Sequence, residues 1–245
     1  MIDFKYHITS LVAVFLALAL GILIGSTMVG GDMLVERQKS LIDQIEDDFQ
    51  FLREQNRLSQ QELSHIQSSY TTYLSFAESI LPLLVENRLS DKKIALINTC
   101  DKDTPAELLD SIVMAGGKIV FTAKVQNAEH IGLIVKALLE MEELEAMVLL
   151  GGHTQASYND FKSRDLQIIE ALERHPNNVN IIGVESSDSP KTYMNFYQKH
   201  GLTTTIDNID TVIGRTALVY SLIGQGGHYG IKDTAQELLP SLIFQ

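Results

Sequence analysis

The sequence predicts an α/β protein in three parts: an N-terminal transmembrane helix, a coiled-coil helix, and a parallel-sheet domain. Three observations carry this. No charged residue occurs between Ile8 and Gly31. A heptad pattern of apolar residues runs from Val35 to Ile80. From Lys92 onward, short apolar runs alternate with amphipathic stretches. The expected boundaries are 1–31 for the N-terminus and membrane helix, 32–82 for the stalk, and 91–245 for the α/β sandwich.

The stretch from Ser10 to Gly25 is almost wholly apolar. A bilayer core takes roughly 20 helical residues to cross. A buried core helix and a cleaved signal peptide are the competing readings. The run exceeds the ~7–15 apolar residues of a signal peptide, which favours a retained anchor. Small residues recur at every fourth position, Ala13, Ala17, Gly21 and Gly25, and so share one helix face. Gly21 and Gly25 form a G-x-x-x-G, a spacing that lets membrane helices approach closely and self-associate. Lys5 precedes the span, and Arg37 and Lys39 follow it, which leaves orientation undecided by charge. A short N-terminus before a long remainder is the signal-anchor arrangement. The expectation is therefore a single-pass protein of the cell membrane with its C-terminal domain outside the cytoplasm.

In the stalk, Val35, Ile42, Phe49, Asn56, Leu63, Tyr70 and Ala77 occupy position a. Position d then holds Gln38, Ile45, Leu52, Ser59, Ile66, Tyr73 and Ile80. A sustained period of 3.5 without Pro or Gly argues for a coiled coil. Ile42, Ile45, Phe49 and Leu52 form the strongest part of the seam. Asn56 at a core a position fixes register and favours dimers at a cost in stability. Asp48 at g can face Arg53 at e of a parallel partner. The alternative is a long amphipathic helix lying on its own domain, but the seam is narrow and its surroundings are polar. Pro82 is expected to end or kink the helix. The small-residue membrane face and the heptad seam both bring two chains together, so a parallel homodimer is expected.

The remaining elements follow in order. Ile94 to Ile97 reads as a buried strand. Thr104-Pro105-Ala106-Glu107 reads as a capping box with proline at the first helical position. Gly116-Gly117 stops that helix. Lys118 to Val125 is a second strand, and Ala128 to Leu144 a helix. Ala146 to Leu150 is a third strand, stopped by Gly151-Gly152. A helix near Tyr158 to Arg174 precedes the strand Val179 to Val184. Ser189-Pro190 opens a helix reaching about His200. Thr203 to Ile206 is a short strand, Gly214 to Ile223 a helix, and the tail beyond Gly224 is glycine-rich. Alternating strands and helices imply a mostly parallel sheet covered on both faces. This pattern is Rossmann-like or flavodoxin-like, with four or five strands.

The net charge of −12 argues against a nucleic-acid partner, which would require a basic surface to neutralise phosphates. The single cysteine, Cys100, rules out an intrachain disulfide and any zinc site built from paired cysteines. Ligands of open α/β sheets bind beyond the strand carboxyl ends. Those ends offer Asn98 and Asp101, Gly151 and Gly152, and Glu185 and Ser186 as cleft candidates, although Gly, Asn, Asp and Ser are also ordinary turn residues. Neither G-x-G-x-x-G nor the phosphate-binding G-x-x-x-x-G-K-[ST] occurs, and the hydrolase signatures G-x-S-x-G and H-E-x-x-H are absent. No enzymatic activity is expected. Cys100 and His153 are weak metal candidates, because copper(I) takes thiolate ligands and imidazole binds copper. The methionines sit in apolar contexts and read as core.

Several segments resemble one family. They are His7 followed by the string Ser10 to Ser26, then Thr204 to Thr211 with Gly214, and finally Gly227-His228-Tyr229-Gly230. Together they closely resemble the MctB-like copper-transporter family along the whole chain. Asp207, Asn208, Asp210, Gly214, Tyr229 and Gly230 carry the family pattern. The resemblance implies a role in copper efflux or tolerance, with copper as a possible cofactor on that ground alone; the residues make no cofactor evident beyond the weak metal candidates Cys100 and His153. Other members are implicated in envelope and division complexes through coiled-coil pairing with a protein partner. The alternative function is accordingly a non-enzymatic envelope or division scaffold whose stalk dimerises and whose α/β domain binds a protein. A third option is a small-ligand sensor near Cys100 and His153. One helix per chain cannot enclose a channel, so transport would depend on assembly or on another protein.

Overall fold

The computed structural model describes residues 4–125, 128–152 and 158–241, with the side chains of 27, 29–32, 128–129 and 158–162 left out. The chain divides into two units, Met1–Tyr70 and Thr71–Gln245. One helix, α1 (Phe4–Val85), is assigned without a break through both. In the first unit, Phe4–Ser26 is long and apolar enough to cross a membrane. The seam residues Ile42, Ile45, Phe49 and Leu52 that follow are all exposed in the single chain.

Pro82 does not end the helix, one of the two outcomes expected there: α1 continues to Val85. A proline here costs one backbone bond. The packing around it offsets that loss, because Leu81 and Val85 are buried in the α/β core. The last part of the predicted stalk therefore serves the domain. Ala77, a predicted seam residue, packs against the core.

The second unit contains β1 (Lys93–Asn98), α2 (Ala106–Met114), β2 (Lys118–Lys124), α3 (Ala128–Leu139), β3 (Ala146–Leu150) and α4 (Tyr158–Leu172). It continues with β4 (Asn180–Val184), α5 (Met194–Lys199), β5 (Thr204–Ile206), α6 (Val212–Leu222) and β6 (Gly227–Tyr229). All neighbouring strands are parallel, in the order β2-β1-β3-β4-β5-β6. The first five follow the flavodoxin-like order. The sixth strand lies in the tail read from sequence as merely glycine-rich. Its three residues are too few for a periodic signal; pairing with β5 makes it a strand.

Side-chain alternation sends each central strand's residues to two cores. Ile94 and Leu96 of β1, with Val148 of β3, face α2, α6 and the end of α1. Ala95 and Ile97, with Met147 and Leu149, face α3, α4 and α5. The central strands β1 and β3 are buried on both faces, as parallel sheets require, whereas the edge strand β2 alternates exposed and half-buried residues. Two local expectations fail. The capping box at Thr104 does not form: Pro105 is the N-cap of α2, with no side-chain cap bond. Thr104 instead accepts a hydrogen bond from the Asn98 amide at 3.1 Å. The segment from Ser189 becomes helical only at Met194, because Ser189 and Tyr193 are bound in a turn around Glu185.

Candidate functional site

The winding of this sheet reverses between β1 and β3, the point where doubly wound folds bind ligands beyond the strand ends. Asn98 closes β1 and builds the turn after it. Its side-chain oxygen accepts from the Cys100 amide at 2.9 Å and from the Cys100 thiol at 3.0 Å. Its side-chain nitrogen donates to the Lys102 carbonyl at 2.9 Å. Asn98 is thus committed to loop geometry. Across from it, Gly152 has φ +91°, and a Cβ there would stand 2.7 Å from the Ser189 hydroxyl oxygen. Cys100, Lys102, Leu150, Gly151, Ser186 and Ser189 are among the residues lining a cavity of about 50 Å³. Organic cofactors occupy pockets of ~300–1,000 Å³. This one suits a water molecule or a small ion.

Of the residues singled out from sequence, Cys100, Gly151 and Ser186 meet at this cavity. Asp101 is exposed, and its carbonyl accepts from the Lys124 ammonium at 3.1 Å. Burial pushes the Cys100 thiol up, so it stays protonated and donates hydrogen bonds. A protonated thiol is a poor metal ligand. His153 lies outside the described residues. Among the described residues, no cluster of three or more His, Cys, Asp or Glu side chains could hold a metal ion.

Glu185 does not face the cavity as a free cleft carboxylate. It is fully buried and accepts from the Tyr193 amide and the Lys232 ammonium, each at 2.8 Å. Lys232 also donates to the carbonyls of Ser186 at 3.1 Å and Ser189 at 3.4 Å. A lysine from the C-terminal segment therefore occupies the strand-end crevice beside β4. Sequence reading missed Lys232, which stands two residues past Gly230, outside the segment that carries the family resemblance.

The segment Asp207 to Thr211 explains how that lysine is held. Asp207 is buried and accepts from the backbone amides of Ile231 at 2.8 Å and Lys232 at 3.0 Å. A Cβ at Gly230 would lie 2.0 Å from the Asp207 carboxylate, so only glycine fits that approach. Asp210 accepts from the Ser187 amide and hydroxyl, both at 2.6 Å. Thr211 caps α6 by accepting from the Gly214 amide at 3.1 Å. Tyr229 donates its hydroxyl to the Gly226 carbonyl at 3.0 Å. These six positions form a clasp binding β5, the start of α6 and the C-terminal segment.

The profile of one family, described as copper transport outer membrane protein, MctB, matches residues 1–131 and 128–240. The chain belongs to the MctB family. Two of the residues that carried the resemblance in this MctB-family chain, Asp207 and Gly230, thus have a visible structural task, fixing the backbone at Lys232. A search of curated proteins found no match. A solved structure of a cobalamin-binding protein from Desulfitobacterium hafniense DCB-2 is similar, with 14% identity and a TM-score of 0.39. The match covers 56% of this chain and 61% of that one, so the chain spans under two thirds of its length.

One prediction arises from the clasp. A Cβ at Gly214 would fall 2.1 Å from the Asn208 carbonyl oxygen, a backbone atom with little room to retreat. Gly214→Ala is expected to destabilise the domain by about 1–3 kcal/mol. Gly132→Ala meets nothing within 4 Å and is the matched control. Chemical denaturation of both variants checks this; equal midpoints would refute it.

Proposed function

We propose that this MctB-family protein is a non-enzymatic, membrane-anchored component of copper efflux or tolerance, working as a parallel coiled-coil dimer. Family membership supports the link to copper transport. The single observation that carries the dimer is the uncovered heptad stripe Ile42, Ile45, Phe49 and Leu52, each more than half exposed. Apolar residues at this spacing lose their contact with water only against a second helix. The apolar segment Phe4–Ser26 supports anchoring in a bilayer, with the face of Ala13, Ala17, Gly21 and Gly25 available for helix pairing. The α/β domain is placed outside the cytoplasm in this reading, where it meets an envelope partner. Among the described residues one helix is long and apolar enough to cross a membrane, and in this reading copper crosses through an assembly or another protein that this chain serves.

The test is genetic and biochemical. Deleting the gene is expected to raise copper sensitivity and intracellular copper, and the wild-type chain restores both. The double variant Ile45→Asp, Leu52→Asp is expected to lose the dimer, since two charges per chain are buried at the seam. It is also expected to fail in restoring copper tolerance. Unchanged copper content in the deletion strain would remove the copper role. A persistent dimer in the double variant, measured by light scattering in detergent, would remove the stalk model.

A further inference from the structure

Beyond Tyr70, α1 belongs to the α/β unit, and there it carries two apolar faces. Ala77, Leu81, Leu84 and Val85 pack into the domain core. Tyr73, Phe76 and Leu83 do not: they are 72%, 63% and 77% exposed, and Ile80 between them is partly exposed. The steps along this second face are three, four and three residues, the a–d rhythm of a coiled coil. No polar residue interrupts it, whereas Asn56 and Ser59 interrupt the seam upstream.

Taking Tyr73 as a, the core-facing Ala77 and Leu84 fall at e, Leu81 at b and Val85 at f. The domain's own core therefore covers the flank of the helix and leaves positions a and d open. Pro82 falls at c, away from the seam, where its missing amide disturbs no partner. The step from Tyr73 to Phe76 is three residues where the upstream register calls for four. Such a three-residue shift is absorbed in coiled coils by local overwinding. Its cause is visible: Ala77, the next residue in the old register, is taken by the domain core.

We infer that a second copy of this chain docks along Tyr73, Phe76, Ile80 and Leu83. The dimer contact then runs through the end of the predicted stalk, the part of α1 that belongs to the α/β unit, and on to Leu83. This rests on the parallel dimer proposed above, keeps its Tyr73 and Ile80 layers and adds Phe76 and Leu83. A second copy is the occupant because the stripe takes up the upstream seam at Tyr73 and, after the one three-residue shift, repeats its a–d spacing. In a parallel pair, each residue of such a stripe meets its own counterpart.

Disulfide trapping in native membranes tests this with the full-length chain. The wild-type chain, whose one thiol is buried at Cys100, serves as the blank. Single substitutions Ile45→Cys, Phe76→Cys, Leu83→Cys and Ser75→Cys are oxidised mildly and run without reductant. Ser75 is exposed and off the seam. Phe76→Cys and Leu83→Cys are expected to form dimers as well as Ile45→Cys, at least about five-fold above Ser75→Cys. Dimers at Ile45→Cys with Phe76→Cys and Leu83→Cys at the Ser75→Cys level would overturn the inference and leave the stalk dimer standing. No dimer at Ile45→Cys would remove the stalk dimer and this extension together. A crosslinked product at Phe76→Cys of another mass, carrying a different protein, would also overturn it.

Discussion

Replacing Lys232 with methionine is expected to destabilise the α/β domain by about 3–5 kcal/mol, the usual cost of removing one partner of a buried ion pair. Glu185 has no access to water, and Lys232 supplies one of its two hydrogen bonds. Methionine fills the same volume but leaves the carboxylate with the Tyr193 amide alone. The double variant Glu185→Gln, Lys232→Met is expected to recover much of the loss, because it removes the uncompensated charge as well. Chemical denaturation of the four proteins in a double-mutant cycle measures the coupling. Hydrogen exchange at the Ile231 and Lys232 amides, which bond to Asp207, reports whether the C-terminal segment has let go. A single variant Lys232→Met as stable as wild type would show that the crevice beside β4 is open to water.

The second large effect depends on pH. Asp165 on α4 is fully buried, and its second carboxylate oxygen has no hydrogen-bond partner. The Tyr197 hydroxyl donates to the other oxygen at 2.5 Å. Burial raises this carboxyl to about 7, against the smaller lowering by Tyr197, Thr99 and Arg164. An unfolded aspartate titrates near ~3.9. The folded state therefore holds the proton more tightly than the unfolded chain. The stabilising contribution is full below ~pH 4, falls as pH rises, and is lost above about pH 7. The span corresponds to roughly 4 kcal/mol at most. Asp165→Asn is expected to match wild type near pH 4 and to be the more stable of the two near pH 8. Denaturation midpoints at both pH values decide it. A constant difference between the two proteins across that range would show that Asp165 is ionised in the fold or bonded by groups that stabilise its charge.

These two sites also show what could be read from the chain. The membrane segment, the heptads and the β-α alternation are local, periodic patterns, and periodicity is what sequence records directly. The strand Ala146–Leu150 was legible to the residue because five apolar residues end at Gly151-Gly152. The third helix was read as ending at Leu144, and it ends at Leu139. Beyond it, Leu144 is still buried, but as a loop residue of the core. Burial alone keeps an apolar pattern going after the helix has stopped. Of the cleft candidates, Gly151 and Ser186 come together, joined by the metal candidate Cys100, because strand ends of a parallel sheet must share one edge. Glu185 lies at the same edge but points at a lysine 47 residues further along.

By itself the sequence determined the order of elements as far as α6 and which faces are apolar, since both depend on neighbours a few residues apart. It also carried the family, through Asp207, Asn208, Asp210, Gly214, Tyr229 and Gly230. Tertiary structure decided that Asp207 and Gly230 hold the C-terminal segment, that Lys232 fills the crevice, and that Asp165 is buried, which raises its carboxyl pKa. It also decided that α1 runs through Pro82 into the core. Each of these rests on burial and on contacts between residues far apart in the chain. Such contacts exist only once the sheet has brought its strand ends together and shut water out.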